Sequence, residues 1–531
     1  MIARVSIPSR AMSTVGERNL GLLAQRSFER RGDYPSLLFE GRWHRSGELW
    51  SRSQRLAAGL AELGVAPGER VVVCMANCPE VSITYQALWL AGAVVTPATF
   101  LLPAPDLRHV IANAEARAVI TTPEFVDKVA EATDGLDHVR YIICTEAAGD
   151  GAAAGVVQLA ELERADPRPI VPRADDDLAA LLYTGGTTGR AKGVMLSHAN
   201  LYFSGGQAHD AAHVPGVNRH LTTLPLSHAY GLLVTIAGMH TDEQGVNVLL
   251  RWFDPSVYLS MIGEHALQVS AVVPTMLQIL LGMPLEDYDL STLQWMSSGG
   301  APLAPEVEEA FCRRVPSVSI RQGYGLTESA ALISTNPTGA VKRGSVGCPV
   351  PGTEVEIRDG DGRPLPPGEP GEVCARSPGV MQGYWRAPEA TSEALEDGWL
   401  RTGDIGYLDD EGYLFIVDRK KDLIIRGGFN VYPRDVEDAL VGHPAVQMAA
   451  VVGRPSERHG EEVVAFVSLV ADADLSSDEL IDWAREHIGG YKYPREVHLV
   501  DAIPLTPVGK IDRKAVRAQL ASAPSVHEQI G

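Results

Sequence analysis

The sequence predicts an α/β protein, with a large N-terminal domain of parallel-type sheets and helices, a small β subdomain, and a small α+β C-terminal domain. Three observations carry that reading. Short Val/Ile/Leu-rich runs alternate with helix-like stretches through the first 400 residues, the pattern of parallel strands covered on both faces. From about Thr353 the text changes to short alternating strands joined by Asp-Gly and Pro-Gly turns, which reads as antiparallel hairpins. Beyond VDRKKD (417–422) a helix, two strands and a second helix follow. At 531 residues the chain also exceeds what one ordinary core holds.

Taken in order, RVVVCMA (70–76), AGAVVTP (91–97), ARAVITT (116–122) and VRYIICT (139–145) read as strands. Each is bounded by Gly, Pro or Asp, or runs into an amphipathic stretch such as PEFVDKVAEAT (123–133). The longest uncharged span, Val81–Pro105, carries Gln86, Pro97 and Pro103. A membrane helix would not place its breakers there, so it reads as a buried helix followed by a strand. Residues 147–155 are Gly/Ala-rich and read as a solvent loop. EVEIRDGDGRPLPPGEPGEVCARS carries the β subdomain, placed at about 345–421 within an N-terminal domain of residues 1–421. In the C-terminal domain, 422–531, NVYPRDVEDALVGHPAVQMAAVVGRP reads helix then strand, EVVAFVSLV as a strand, and SSDELIDWAREHIG as a helix capped at Ser476 or Ser477.

Chemistry concentrates in YTGGTTGRAKGV (183–194). Its glycines let backbone N–H groups approach a polyanion, its threonines add donors, and Arg190 and Lys192 add charge. The spacing is not GxxxxGK[ST], so the P-loop NTPase fingerprint is absent. A Gly/Thr linker is the alternative, but linkers rarely follow a strand-like run such as Leu178–Leu182. Four further runs are weaker singly. SSGGAPL (297–303) offers backbone to a flat ring, or is a strand-to-helix turn. RQGYGLTES (321–329) brings Glu328, a Mg²⁺ ligand or a helix cap. RTGDIG (401–406) brings Asp404, an acceptor for a ribose diol or an ordinary turn residue. PLTPVGKIDRK (504–514) brings Lys510, alone a solvated surface lysine.

In this order and together, these motifs resemble the adenylate-forming (AMP-binding) superfamily, in its acyl-CoA synthetase and aryl-CoA ligase branch. The resemblance covers almost the whole chain and implies a mobile C-terminal domain with an ATP site between the two domains. By resemblance, Thr184, Gly185, Gly186, Thr187, Thr188, Gly189 and Lys192 hold the β- and γ-phosphates. Gly299, Gly300, Ala301 and Pro302, with Gly323, Tyr324 and Gly325, form the adenine slot. Thr327 touches the α-phosphate, Glu328 ligates Mg²⁺, and Asp404 and Arg419 hold the ribose. Lys510 bridges the attacking carboxylate and the α-phosphate, and Lys421 is the hinge. The catalytic set is thus Lys510, Thr188, Glu328 and His228. Arg426, Gly427, Gly428 and Phe429 form the coenzyme A side. Two departures stand out: Gly185 where serine is commonest and Ala191 where proline is. The lost hydroxyl predicts slower or weaker use of ATP.

The implied reaction joins an apolar fatty or aryl acid to ATP as acyl-AMP, then to the thiol of coenzyme A, with ATP, Mg²⁺ and coenzyme A required. The acyl pocket falls to His228, Tyr230, Val273, Met276 and Leu326, although His228 reads equally as a packed core histidine. Amino-acid-activating relatives carry an aspartate here, and no acidic residue lies between Leu221 and Met239. A separate acyl-carrier protein is the alternative acceptor, and a non-catalytic nucleotide or acyl sensor the rival from another class. Lys420, Arg426, Lys492 and Arg495 meet coenzyme A phosphates or form a solvated face. A net charge of −21 gives no general reason to bind nucleic acid or an anionic membrane. Six scattered cysteines without metal spacing, and basic first residues without an apolar core, predict a cytoplasmic protein with reduced thiols, as monomer or homodimer.

Overall fold

The structure is a computed structural model that describes residues 15–146, 155–184, 190–456, 458–470, 473–506 and 510–522. The expected solvent loop at 147–155 lies almost wholly outside the described residues. Its contacts divide the chain into two compact units. The first comprises residues 1–253, 327–331 and 378–391, the second 254–326, 332–377 and 392–531.

In the first unit the four strands expected from composition form as Arg70–Cys74, Val94–Pro97, Ala118–Thr121 and Tyr141–Cys144, paired in parallel. Leu178–Thr184 joins them in parallel beside Val94–Pro97, and Lys192–Ser197 then returns antiparallel. Most of their residues are buried, which is why these strands read as continuous Val/Ile runs and not as alternation. The helix Pro79–Leu90 is buried on nearly every side, Tyr85, Leu88 and Trp89 included. Its lack of a polar stripe is a packing fact, and no helix among the described residues is long and apolar enough to cross a membrane.

The second unit carries parallel strands Val269–Val272, Trp295–Ser298 and Ser319–Tyr324. The antiparallel β sheet is present as Glu354–Arg358, Gly371–Arg376, Trp399–Leu408 and Leu414–Arg419. Further on, Val446–Ser456 and Gly460–Leu469 pair antiparallel over a long register. Strand periodicity then sorts the side chains. Ala449, Val451, Val463 and Ala465 pack with Val436, Leu440, Leu480 and Ala484 of the helices Pro433–Val441 and Ser477–His487. Their alternates Ala450, Val452, Val464 and Phe466 meet Ile503 and Val516 on the other face. Ser476 caps its helix in a reciprocal capping box with Glu479, as the sequence predicts.

Three features escaped the sequence pattern. The parallel strands carry antiparallel edges, Arg42–Arg45, Gly383–Tyr384 and Ser334–Thr335 among them, too short to show any period. Arg513–Ser522 is a helix. IIRGGFNVYP is a hairpin of Ile424–Arg426 and Phe429–Val431. Gly427 and Gly428 turn it at φ 58° and 83°, a backbone that disfavours residues with a Cβ.

Candidate active site

In the first unit, Thr184 and Lys192 stand opposite each other at the mouth of the pair Leu178–Thr184 and Lys192–Ser197. Gly185, Gly186, Thr187, Thr188 and Gly189 lie outside the described residues. The stem is tied down from the helix Ala104–Ala114: Tyr183 donates its hydroxyl to Asn113 Oδ1 at 2.7 Å, and His109 Nε2 lies 2.9 Å from the Ala191 carbonyl. His109 and Asn113 were missed in the sequence, since two polar residues on an amphipathic helix announce nothing.

Glu328 sits in the short 3₁₀ turn Thr327–Ser329. Tyr384 donates its hydroxyl to Glu328 Oε1 at 2.7 Å. Burial, then the Glu328 charge, holds that phenol far above its ordinary pKa, so it stays a donor. Just past Ser329, Ala330 and Ala331 take φ 50° and 69°, a left-handed strain of the kind found at functional turns. His228 is the N-cap of the helix Ala229–His240, where Nδ1 accepts from the Tyr230 N–H at 3.2 Å. That bond assigns the ring proton to Nε2. Tyr230 is half-buried in the first turn of the same helix.

In the second unit, Gly299–Pro302 follow the strand Trp295–Ser298, as the sequence predicts, and precede the helix Pro305–Arg314. Gly300 turns at φ 82°. A Cβ there would lie 3.8 Å from Lys510 Cε and 3.9 Å from Val273 Cγ1. The stem of Lys510 therefore lies against the glycine turn, and the lysine is only half-exposed. Its backbone is bonded to Thr506: Thr506 N–H donates to the Lys510 carbonyl at 2.6 Å, and Lys510 N–H donates to Thr506 Oγ1 at 3.1 Å. Val273 caps the helix Pro274–Leu281, whose first turn holds the buried Met276. Leu326 is half-buried beyond Gly325.

Gly323 and Tyr324 end the strand Ser319–Tyr324. The Tyr324 hydroxyl donates to Asp404 Oδ2 at 2.7 Å, and Arg419 Nε lies 3.3 Å from Asp404 Oδ1. Asp404 and Arg419 are directly opposed cross-strand partners, so an antiparallel register, invisible as sequence spacing, makes the pair. Asp404 is in a strand and not in a turn. Only 5% of it is exposed. Burial raises its pKa, while Arg419, then Tyr324, Lys421 and Lys510 oppose that rise. A carboxylate has about four lone-pair sites, so two contacts leave room for a diol.

Lys421 is exposed in the turn after Leu414–Arg419. The turn is anchored on both sides. Asp418 accepts from the N–H groups of Arg419 and Arg434 at 2.7 and 2.9 Å, and Arg517 holds Asp422 at 2.8 Å. On the expected coenzyme A side, Phe429 is 60% exposed and lies 5.1 Å from the Tyr491 ring. The cations nearby have anionic partners: Lys420 with Glu372, Arg426 with Glu462, and Lys492 with Asp435. Arg495 lies over the Tyr493 ring at 3.3 Å. All six cysteines are unpaired thiols, and burial pushes Cys74 up to about 12.

Comparison with known proteins identifies the family. The AMP-binding enzyme profile matches residues 24–385, and the AMP-binding enzyme C-terminal domain profile matches residues 435–510. The chain belongs to the AMP-binding enzyme family. It is 38% identical over 475 residues to a feruloyl-CoA synthase of Amycolatopsis sp., covering 88% of this chain and 92% of that one. It is 34% identical over 527 residues to a long-chain-fatty-acid–CoA ligase of Escherichia coli, covering 93% of each. Among solved structures it resembles the amide bond synthetase McbA of Marinactinospora thermotolerans. That match has a TM-score of 0.84 and 32% identity, and covers 94% of this chain and 99% of that one.

Proposed function

We propose that this protein is an AMP-forming acid–thiol ligase that activates an apolar carboxylic acid as its acyl-adenylate and passes the acyl group to the thiol of coenzyme A. The observation that carries the reading is the placement of Lys510: its stem lies on the Gly300 turn and its charge reaches Asp404, itself held between Tyr324 and Arg419. A cation at a nucleotide slot is what phosphoryl chemistry requires.

A free carboxylate acylates poorly because its leaving group would be oxide. One carboxylate oxygen attacks the α-phosphorus of ATP, the bond to the β-phosphate oxygen breaks, and pyrophosphate leaves. In this scheme Asp404 and Arg419 hold the ribose, Gly299–Pro302 and Gly323–Gly325 flank the adenine, and Thr184–Lys192 cradle the departing phosphates. Thr327 lies on the α-phosphate, and Lys510 stabilises charge shared between the acid and that phosphate. Glu328 is the residue that would hold Mg²⁺. Among the described residues no three His, Cys, Asp or Glu side chains cluster for a metal, and a lone carboxylate suits an ion that arrives with phosphates. When bound, Mg²⁺ supplies positive charge against the phosphate oxygens.

The second half-reaction needs a thiol at the same carbonyl, with AMP leaving and the thiol proton lost. Lys510 obstructs that approach, so residues 422–531 rotate about Lys421 and bring Arg426–Phe429 to the thiol side. By the same reading, His228 and Tyr230 of the first unit and Val273, Met276 and Leu326 of the second are the residues assigned to the acyl group. The absence of acidic residues between Leu221 and Met239 disfavours an amino acid. Coenzyme A is the acceptor favoured by the relatives' names.

The test is acid-dependent ATP–pyrophosphate exchange across fatty, aryl, cinnamoyl and amino acids, repeated for the active acids with coenzyme A, an acyl-carrier protein and simple amines. Exchange with apolar acids and thioester formed from coenzyme A are expected. Exchange with no acid, or amide as the main product, overturns the reading.

A further inference from the structure

One side chain outside the roles above connects the two charged groups at the phosphate end. The strand Gly383–Tyr384 pairs antiparallel with Lys192–Ser197, with Tyr384 opposite Val194. That register sets the Tyr384 ring beside Lys192, whose Nζ lies 5.2 Å from the ring centroid, within cation–π range. The hydroxyl of the same ring reaches Glu328 Oε1 at 2.7 Å. The backbone repeats the link, because Met381 N–H donates to the Glu328 carbonyl at 2.8 Å. Trp385 locks the segment in turn: its N–H donates to the Gly193 carbonyl at 2.7 Å and its indole to the Asn113 carbonyl at 3.1 Å.

We propose that Tyr384 is a positioning residue for the pyrophosphate end of the site, aiming the Glu328 carboxylate with its hydroxyl and seating Lys192 on its ring. The inference rests on the reading of Glu328 as the Mg²⁺ carboxylate. The terminal torsion of a glutamate is broad. One oxygen engaged by Tyr384 removes that freedom and leaves Oε2 as the oxygen that meets the ion, so orientation is settled before binding. The same ring keeps the stem lysine beside the carboxylate. Cation and metal carboxylate thus sit at a separation set by one phenol.

The test reads binding without turnover: ATP is titrated calorimetrically into the full chain without acid, from excess chelator to saturating magnesium. Tyr384→Phe keeps the ring and loses the donor. It is expected to raise the magnesium needed for half-maximal ATP affinity about tenfold, the loss of one hydrogen bond to a charged group, while metal-free ATP affinity changes less than about twofold. Tyr384→Leu, which also removes the seat for Lys192, is expected to add a fall in metal-free affinity. Glu328→Gln is run alone and with Tyr384→Phe. If Tyr384 acts through Glu328, the tyrosine change adds nothing in the glutamine background. A raised requirement in Glu328→Gln with none in Tyr384→Phe or Tyr384→Leu overturns the role of Tyr384 and leaves the metal reading standing. An unchanged requirement in Glu328→Gln overturns both.

Discussion

Gly300 is a glycine for a reason that belongs to one residue. At φ 82° the backbone is in the left-handed region. Space is not the obstacle, since a Cβ would meet Lys510 Cε and Val273 Cγ1 only at 3.8 and 3.9 Å. The dihedral is, at a cost of about 1–2 kcal/mol for a residue with a Cβ. Gly300→Ala is therefore expected to lower unfolding free energy by about 1 kcal/mol, read by urea titration. Unchanged stability would place the strain elsewhere. Asp404 shows how a residue's neighbours decide its charge: burial favours the acid form while Arg419, Tyr324 and two lysines favour the carboxylate.

At the scale of elements, helices are tied together through their ends. In the helix Leu20–Arg31 the Leu20 N–H has no acceptor within its own helix, and His198, the first residue of the helix His198–Ala212, accepts it on Nδ1 at 3.1 Å. Burial then drives the His198 pKa from 6.5 down to about 3. The folded state thus resists a proton that the unfolded chain accepts. The stability gained from the neutral ring is complete above pH 6.5 and drains away as pH falls toward 3. That difference corresponds to roughly 4–5 kcal/mol. His198→Gln should lower stability at neutral pH yet lose one proton's worth of slope on the acid side. Denaturant midpoints from pH 7 to 4 check this, and an acid limb as steep as wild type would contradict it. Elements of this kind were half legible in the sequence. Apolar runs such as Arg70–Cys74 and the Ser476 capping box announced themselves through composition and local spacing. The Gly427–Gly428 turn enters the sequence reading only as part of the coenzyme A side, although two adjacent glycines between apolar runs are also a hairpin signal. The Asp404–Arg419 pair, the His198 cap and the Tyr384–Glu328 bond were not legible, because each is made by tertiary register between segments with no local period.

At the scale of the molecule, one site serves two half-reactions whose needs conflict, and the proposed answer is movement about Lys421. The turn's flanks are held by Arg434 on Asp418 and Arg517 on Asp422, while Lys421 itself is exposed. Lys421→Pro fixes φ, so thioester formation from coenzyme A should fall by a larger factor than acid-dependent pyrophosphate exchange. Equal losses in both would argue against a hinge there. Lys510 tests the whole scheme most directly. In Lys510→Ala, single-turnover formation of acyl-AMP from acid and ATP should slow by about 10²–10³-fold. The same variant given preformed acyl-AMP and coenzyme A should make thioester at close to the wild-type rate. Intact adenylation in the variant, or equal loss in the two assays, would contradict the account.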